Sequence, residues 1–213
     1  MQRVGTLREI WRYPVKGMAG ESVEACQLGE AGLQGDRQWA LRDLLRNEIQ
    51  SCKFRPDLLR CTARSVPGLA APQVELPDGQ ILGCDDVRLN DRLSALVGHA
   101  SAVEPLQASG DLGRFLRYKR GDTHWLDELK ATFDREEGEP LPALDDLPQA
   151  VADYVVLPGS FFLVAPVHII TRRTLDHLAS LQGDANWDLR RFRPNLVVDS
   201  APGSDDMPEQ QWL

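Results

Sequence analysis

A chain of 213 residues, 42% of them hydrophobic, is long enough to bury a sizeable core as one large domain or two small ones. Its 32 acidic against 24 basic residues leave a net charge of -8, which excludes a general nucleic-acid surface and confines positive charge to local patches. No apolar run approaches the roughly 20 residues of a spanning helix and Met1 to Thr6 open no secretory signal, so a soluble, cytoplasmic protein is expected.

Residues 4–15 mix β-branched and aromatic side chains (Val4, Thr6, Ile10, Trp11, Tyr13, Val15) and predict a strand that stops at Pro14. Lys16 and Gly17 follow directly, placing an ammonium beside free backbone amides, which suits an anion as well as a solvated turn. Residues 22–28 alternate, and residues 29–36 form a glycine-punctuated turn. Residues 37–41 begin the next strand with Asp36 and Arg37 at its mouth. That pair is either a local ion pair or, with Arg37 pointing inward, a means of aiming the guanidinium at a ligand.

Short strands are expected at residues 49–53 and 58–63. Residues 73–82 carry the clearest hairpin, turning on Pro77-Asp78-Gly79. Asp85 and Asp86 cap a helix over 87–97, where Leu89, Leu93, Leu96 and Val97 recur at helical spacing, and Gly98 ends it. Short strands with one helix predict a small barrel-like β domain over residues 1–106. Cys26, Cys52, Cys61 and Cys84 have neither metal-finger nor redox-pair spacing and are expected to be reduced and partly buried.

Residues 107–157 read as a charged, proline-containing excursion or linker, in part mobile. Its basic and aromatic run from Arg114 to Arg120 can meet a single-stranded nucleic acid or pair with the acidic run from Asp134 to Glu139. Order is expected again from residue 158. Residues 160–170 are apolar, a predicted buried strand broken at Pro166, in which His168 reads as a core histidine. Thr171 N-caps a helix over 172–181 that turns Leu175, Leu178 and Leu181 to the core. Arg172 and Arg173 occupy its first turn, where the macrodipole disfavours cations by about 0.3–1 kcal/mol each. A docked anion or an acidic neighbour would remove that conflict.

Arg190-Arg191-Phe192-Arg193-Pro194-Asn195 then leads into the apolar run Leu196-Val197-Val198, a predicted buried strand. The guanidiniums can present paired donors to phosphate or carboxylate, with Asn195 a neutral donor beside them. Equally, Arg190 and Arg191 can solvate a loop while Arg193 pairs with an acidic residue.

Tyr13-Pro14-Val15-Lys16-Gly17, Gly35-Asp36-Arg37-Gln38-Trp39, Val167-His168-Ile169-Ile170-Thr171 through Leu175, and Arg191-Phe192-Arg193-Pro194-Asn195 occur in the order and at the spacing of MOSC proteins. The chain resembles that family from about residue 4 to its last residue, with a gap over the middle excursion. The resemblance implies an α+β, mainly β fold: a MOSC N-terminal β-barrel-like domain, then an incomplete MOSC β-barrel domain over 158–213 with a few helices. It implies a molybdopterin-type molybdenum cofactor gripped by basic residues of both halves, for oxo transfer (reduction of N-oxygenated compounds) or sulfur transfer.

Lys16, Arg37 and Arg193 with Asn195 match the family's basic and Arg-Pro-Asn positions, and Gly17, Thr171 and Arg172 complete the cofactor-binding set that the resemblance implies. The family's molybdenum-ligating cysteine lies past a Trp that matches Trp212, and none of the four cysteines here aligns with it. No metal ligand and no catalytic residue is therefore assigned, and a non-catalytic cofactor-binding or carrier module is the alternative. Leu163-Val164-Ala165 are apolar where the reductases of the family place polar cofactor contacts. An electron-transfer or sulfur-donor protein is the implied partner, and a chain short at its C-terminus invites a second copy to cover an open sheet edge. Nucleic acid and membrane are not expected.

Overall fold

The computed structural model describes residues 3–107, 111–118, 127, 130, 131, 137–139 and 153–212. Strand β1 (Gly5–Arg12) ends two residues before Pro14, which has no amide to give a ladder. It is followed by β2 (Glu21–Val23), the two-residue pair β3 (Leu28–Gly29) and β4 (Gly32–Leu33), and the hairpin of β5 (Trp39–Asp43) with β6 (Glu48–Ile49). Asn47, with φ 53°, turns that hairpin in the left-handed region that Asn tolerates.

The strand expected at 58–63 is instead a 3-10 turn, Pro56–Arg60, followed by β7 (Thr62–Arg64). Pro56 at its first position and Asp57 beside it favour a helical start over an extended one. Strands β8 (Gln73–Glu75) and β9 (Ile81–Gly83) form the expected hairpin, closed by Gly79 at φ 84°. Helix α1 (Val87–Val97) is capped as its sequence predicts: the Asp86 carboxylate accepts from the Arg88 amide, and Gly98 ends the helix at φ 80°. Then come β10 (Ser101–Pro105), β11 (Ile169–Thr171), helix α2 (Arg172–Leu181) and β12 (Leu196–Ser200).

Pairing joins the two ends of the chain. One sheet has the order β11-β12-β1-β2, with β1 antiparallel to both β12 and β2 and β11 parallel to β12. Gly5 lies opposite Ser200 and Ile10 opposite Leu196. The residues just after β1 therefore lie beside those just before β12. The other described strands form the sheets β10-β5-β6, β7-β8-β9 and β3-β4, so the fold is α+β and mainly β.

Strand β5 is the wall between two cores, because successive side chains leave opposite faces of a strand. Leu41 joins a cluster with Val15, Met18, Leu58, Val74 and Leu89. Ala40 joins Ile49, Phe115, Val155, Val156 and Phe161 in a second cluster, to which residues from all three expected segments contribute. Each large aliphatic or aromatic side chain so buried stabilises the fold by about 1.5–3 kcal/mol.

Three expectations for the last third are corrected. Residues 160–168 form no strand. Gly159 at φ 77° and the Ser160 hydroxyl, which donates to the Leu157 carbonyl, bend the chain so that Phe161 and Phe162 point in and Leu163 and Val164 point out. His168 is exposed rather than a core histidine. Helix α2 starts at its Thr171 cap as expected, but only Thr174 on it is buried and Leu181 is 70% exposed. Its apolar face meets the sheet incompletely, leaving a hollow of about 360 Å³ lined by residues that include Trp11, Leu175, Trp187 and Val197. No helix among the described residues is long and apolar enough to cross a membrane.

Candidate functional site

Where β1 and β12 run out side by side, a fully buried carboxylate and a fully buried amide tie the strands together. Asp36 Oδ1 accepts from the Tyr13 amide (2.7 Å), and Oδ2 accepts from Asn195 Nδ2 (3.1 Å) and from the Arg37 guanidinium. Asn195 Nδ2 also donates to the Trp11 carbonyl (3.2 Å), while its Oδ1 accepts from the His168 amide (3.1 Å). Both N–H bonds of the Asn195 amide are thus engaged inside the protein, so this residue positions its neighbours instead of reaching a guest. Burial raises the pKa of Asp36, against the pull of Arg37 and the bonds from Tyr13 and Asn195.

Three cations surround that hub. Lys16, only 7% exposed, receives its backbone direction from the bond of its amide to the Trp39 carbonyl (2.8 Å), and its Nζ donates to the Phe161 carbonyl (2.9 Å). Burial, helped by Arg37 and Arg193, lowers its pKa to about 7; Cys52 opposes the shift. Gly17 beside it adopts φ 84°, and a Cβ there would stand 3.1 Å from the Cys52 amide nitrogen and 3.2 Å from Leu58 Cδ1.

Arg37 and Arg193 stack on Tyr13, their guanidinium carbons 5.2 and 4.5 Å from the ring centroid, and Arg37 also faces Phe162 at 5.4 Å. The Tyr13 hydroxyl donates to the Pro194 carbonyl (2.9 Å), and burial pushes its pKa above the ordinary tyrosine range. Both arginines sit in the left-handed region, at φ 49° and 53°, a strain of about 1 kcal/mol or more each that such sites tolerate when their surroundings enforce it. Arg37 has Asp36 as partner. Arg193 is 8% exposed, and its Nη1 is buried with no hydrogen bond among the described residues. Its pKa is lowered by burial first and by Arg37 next, while Cys52 is the neighbour that most opposes the shift.

The other expected site residues have different partners. The Thr171 hydroxyl donates to Glu209 Oε2 (2.9 Å) and the Thr171 amide to Oε1 (3.3 Å). Arg172 lies 3.8 Å from Glu9, and Arg173 pairs with Asp206 (3.1 Å). Acidic neighbours therefore resolve the charge conflict at the start of α2. Burial tends to raise the Glu209 pKa, but the bonds from Thr174 and Thr171 outweigh it and hold the carboxyl low.

Arg190 pairs with Asp188, and Arg191 donates to the Asn186 carbonyl. Arg114 pairs with Glu104 (2.8 Å) of β10, and Arg117 donates to the Tyr154 carbonyl (3.3 Å). Lys119, Arg120, residues 134–136 and the prolines 140, 142 and 148 lie outside the described residues.

Sequence reasoning brought Lys16, Arg37 and Arg193 together but missed Tyr13 as the platform between two guanidiniums, and it missed Cys52. An aromatic residue three positions before a strand-end lysine was the available signal for Tyr13; nothing in the spacing of Cys52 pointed to the site. All four cysteines are free, and the described residues contain no group of three or more His, Cys, Asp or Glu that could hold a metal ion.

A net-positive, buried cluster of this kind can hold an anion. Residues 4–86, which carry Tyr13, Lys16, Asp36, Arg37 and Cys52, match the family model of the MOSC N-terminal beta barrel domain. Mitochondrial amidoxime reducing component 2 of Bos taurus is 26% identical over 228 aligned positions, which take in 100% of this chain and 60% of the relative. The chain thus spans about 60% of the length of the curated relative it matches. Residues 4–86 are thus similar to the MOSC N-terminal beta barrel domain, and the chain as a whole is similar to the bovine amidoxime reducing component.

Proposed function

We propose that this chain binds the anionic end of a molybdopterin-type molybdenum cofactor at the Lys16, Arg37 and Arg193 cluster. The observation that carries this reading is the orphaned Arg193 Nη1, buried with Arg37 as a charged neighbour and close enough for its charge to act on Lys16. A buried donor without a partner costs about 1–3 kcal/mol, and more when charged, which an anionic guest would offset. Lys16 and Arg193 would hold the anion, and Arg37, tethered by Asp36, would add charge. Gly17 would keep the turn of Cys52 close, and Asn195 and Tyr13 would fix the geometry.

The cofactor, when bound, would supply a molybdenum centre for oxo or sulfur transfer. The name of the bovine relative makes N-oxygenated compounds the first substrate class to test. An electron-transfer or sulfur-donor protein would be the partner, in the cytoplasm. A cofactor-holding carrier without turnover is the second reading.

The test is the content of protein purified from cells that make the cofactor, with molybdenum measured by mass spectrometry and pterin by fluorescence after oxidation. Molybdenum with pterin supports the enzyme and pterin alone the carrier. Folded protein that retains neither overturns both.

A further inference from the structure

The cations of the cradle are shut in. Lys16 and Arg193 are buried, Arg37 is half-buried, and the unbonded Arg193 Nη1 has no contact with solvent. An anion in solution therefore reaches these donors only if part of the cover moves. One wall is fixed by backbone bonds: the Arg37 amide donates to the Tyr13 carbonyl (2.7 Å) and the Trp39 amide to the Pro14 carbonyl (3.0 Å).

Residues 157–166, on another side, are attached differently. The segment is entered from Val155, whose amide donates to the Phe115 carbonyl (3.0 Å), and left at His168, whose carbonyl accepts from the Asn195 amide (2.7 Å). Between those anchors its hydrogen bonds close on themselves. The Leu157 amide donates to the Phe162 carbonyl (2.8 Å), the Ser160 amide and hydroxyl donate to the Leu157 carbonyl (3.0 and 2.9 Å), and the Phe162 amide donates to the Ser160 hydroxyl (3.2 Å). Gly159, at φ 77°, lies within this turn. Among the described residues a single hydrogen bond joins the middle of the segment to the rest of the protein, from Lys16 Nζ to the Phe161 carbonyl (2.9 Å). Phe162 lies over Arg37 at 5.4 Å, while Leu163 and Val164 are exposed. A segment with so few outward bonds and an exposed tip is where a fold opens locally before it opens as a whole.

We propose that residues 157–166 are a lid over the cradle. They open to let the anionic guest reach Lys16, Arg37 and Arg193, and close over it with the Phe161 carbonyl back on Lys16 and the Phe162 ring back on Arg37. The proposal rests on the anion-cradle reading, whose entrance it describes. The closed lid occupies one of the three N–H bonds of the Lys16 ammonium and leaves two for the guest, so lid and guest share the lysine. Closing also expels water, which strengthens the pull of the cations on the anion.

Lys16 itself reports the opening, because its amine is acylated only when the reagent reaches it. Native protein is treated with a limiting amount of the N-hydroxysuccinimide ester of acetic acid, and Lys16 and the exposed Lys53 are compared by peptide mass spectrometry over time. Lys16 is expected to react well behind Lys53, at a rate nearly independent of low urea, the mark of a local opening. The Cβ of Gly159→Ala meets no atom within 4 Å but strains the turn at φ 77°, so the variant should speed Lys16 about tenfold and leave Lys53 unchanged. Ser160→Ala, which removes the hydroxyl bonds of the turn, should speed Lys16 about fivefold and decides the matter if the first variant misfolds. Lys16 as fast as Lys53, Lys16 modified only at the rate of global unfolding, or a rate indifferent to both substitutions overturns the lid.

Pyrophosphate separates failure of the lid from failure of the cradle. Calorimetric binding of pyrophosphate together with slower acylation of Lys16 is the expected result. Binding with a Lys16 rate that neither substitution moves overturns the lid and keeps the cradle. No binding to a protein whose Lys16 rate follows the substitutions overturns the cradle reading, and with it the guest that the lid would admit.

Discussion

Replacing Lys16 by methionine should make the cofactor-free protein more stable, although it removes the residue on which binding depends. Lys16 titrates at about 7 instead of its ordinary 10.5. At about 1.4 kcal/mol per pH unit, keeping this amine in the fold costs on the order of 4 kcal/mol near neutral pH. Methionine fills similar space without a charge but gives up the bond to the Phe161 carbonyl, leaving that acceptor unpaired at a cost of about 1–3 kcal/mol.

The net expectation is a gain of roughly 1–3 kcal/mol, a rise in Tm of about 2–10 °C for a chain of this length. The sign with pH follows from the lowered pKa. The folded state holds fewer protons than the unfolded chain between about 7 and 10.5, so the penalty is full below 7 and fades as pH rises towards 10.5. Thermal unfolding followed by circular dichroism at pH 7 and pH 10 should show the variant ahead at the first and level with or behind the parent at the second. A variant no more stable than the parent at pH 7, or an advantage that does not shrink by pH 10, would refute the argument that Lys16 is held against its hydration.

Sulfate, whose charge is constant from pH 6 to 9, should bind less well above pH 7 as Lys16 loses its proton, by up to about tenfold per unit; calorimetry across that range checks it. Arg193→Ala should abolish cofactor retention, and Arg117→Ala, whose guanidinium meets the Tyr154 carbonyl, should leave it intact; pterin fluorescence of the purified variants decides. Gly17→Ala forces a Cβ into φ 84° and against the Cys52 amide, so denaturant unfolding should show a loss of about 1–2 kcal/mol.

What could be read from the amino acids was local. The Asp86 cap, Gly98, the Pro77-Asp78-Gly79 turn and the Thr171 cap each act within a few residues, and each is where its chemistry puts it. The misread segment is instructive: an apolar run such as 160–170 carries no mark that distinguishes a strand from a bend with two phenylalanines inward and two aliphatics outward. The bend is decided by Gly159, the Ser160 hydroxyl and room beside Phe115.

The conflict of Arg172 and Arg173 with the helix dipole was visible, but its resolution by Glu9 and Asp206 comes from residues more than 30 positions away. The same holds for the site. Three cations announced themselves by type, but the Asn195 amide, taken for a ligand contact, is engaged by Trp11 and Asp36 across the sheet.

That last point bears on why the cluster reads as a binding site and not as a structural ion-pair network. A structural network matches its charges, since an unpaired buried ion costs several kcal/mol. Here Asp36 is matched to Arg37 and bonded by Tyr13 and Asn195; its charge acts on Arg193, but among the described residues it makes no bond to that guanidinium. Among the described residues Lys16 meets only a neutral carbonyl. The excess of positive charge is therefore built around a carboxylate that is already satisfied, and moving Asp36 to serve Arg193 would unpair Tyr13 and Asn195. A guest with two negative charges solves both problems at once, giving Lys16 a reason to hold its proton and Arg193 Nη1 an acceptor. Binding, proton uptake and stability are then linked by mass action, and each can be measured from the other two.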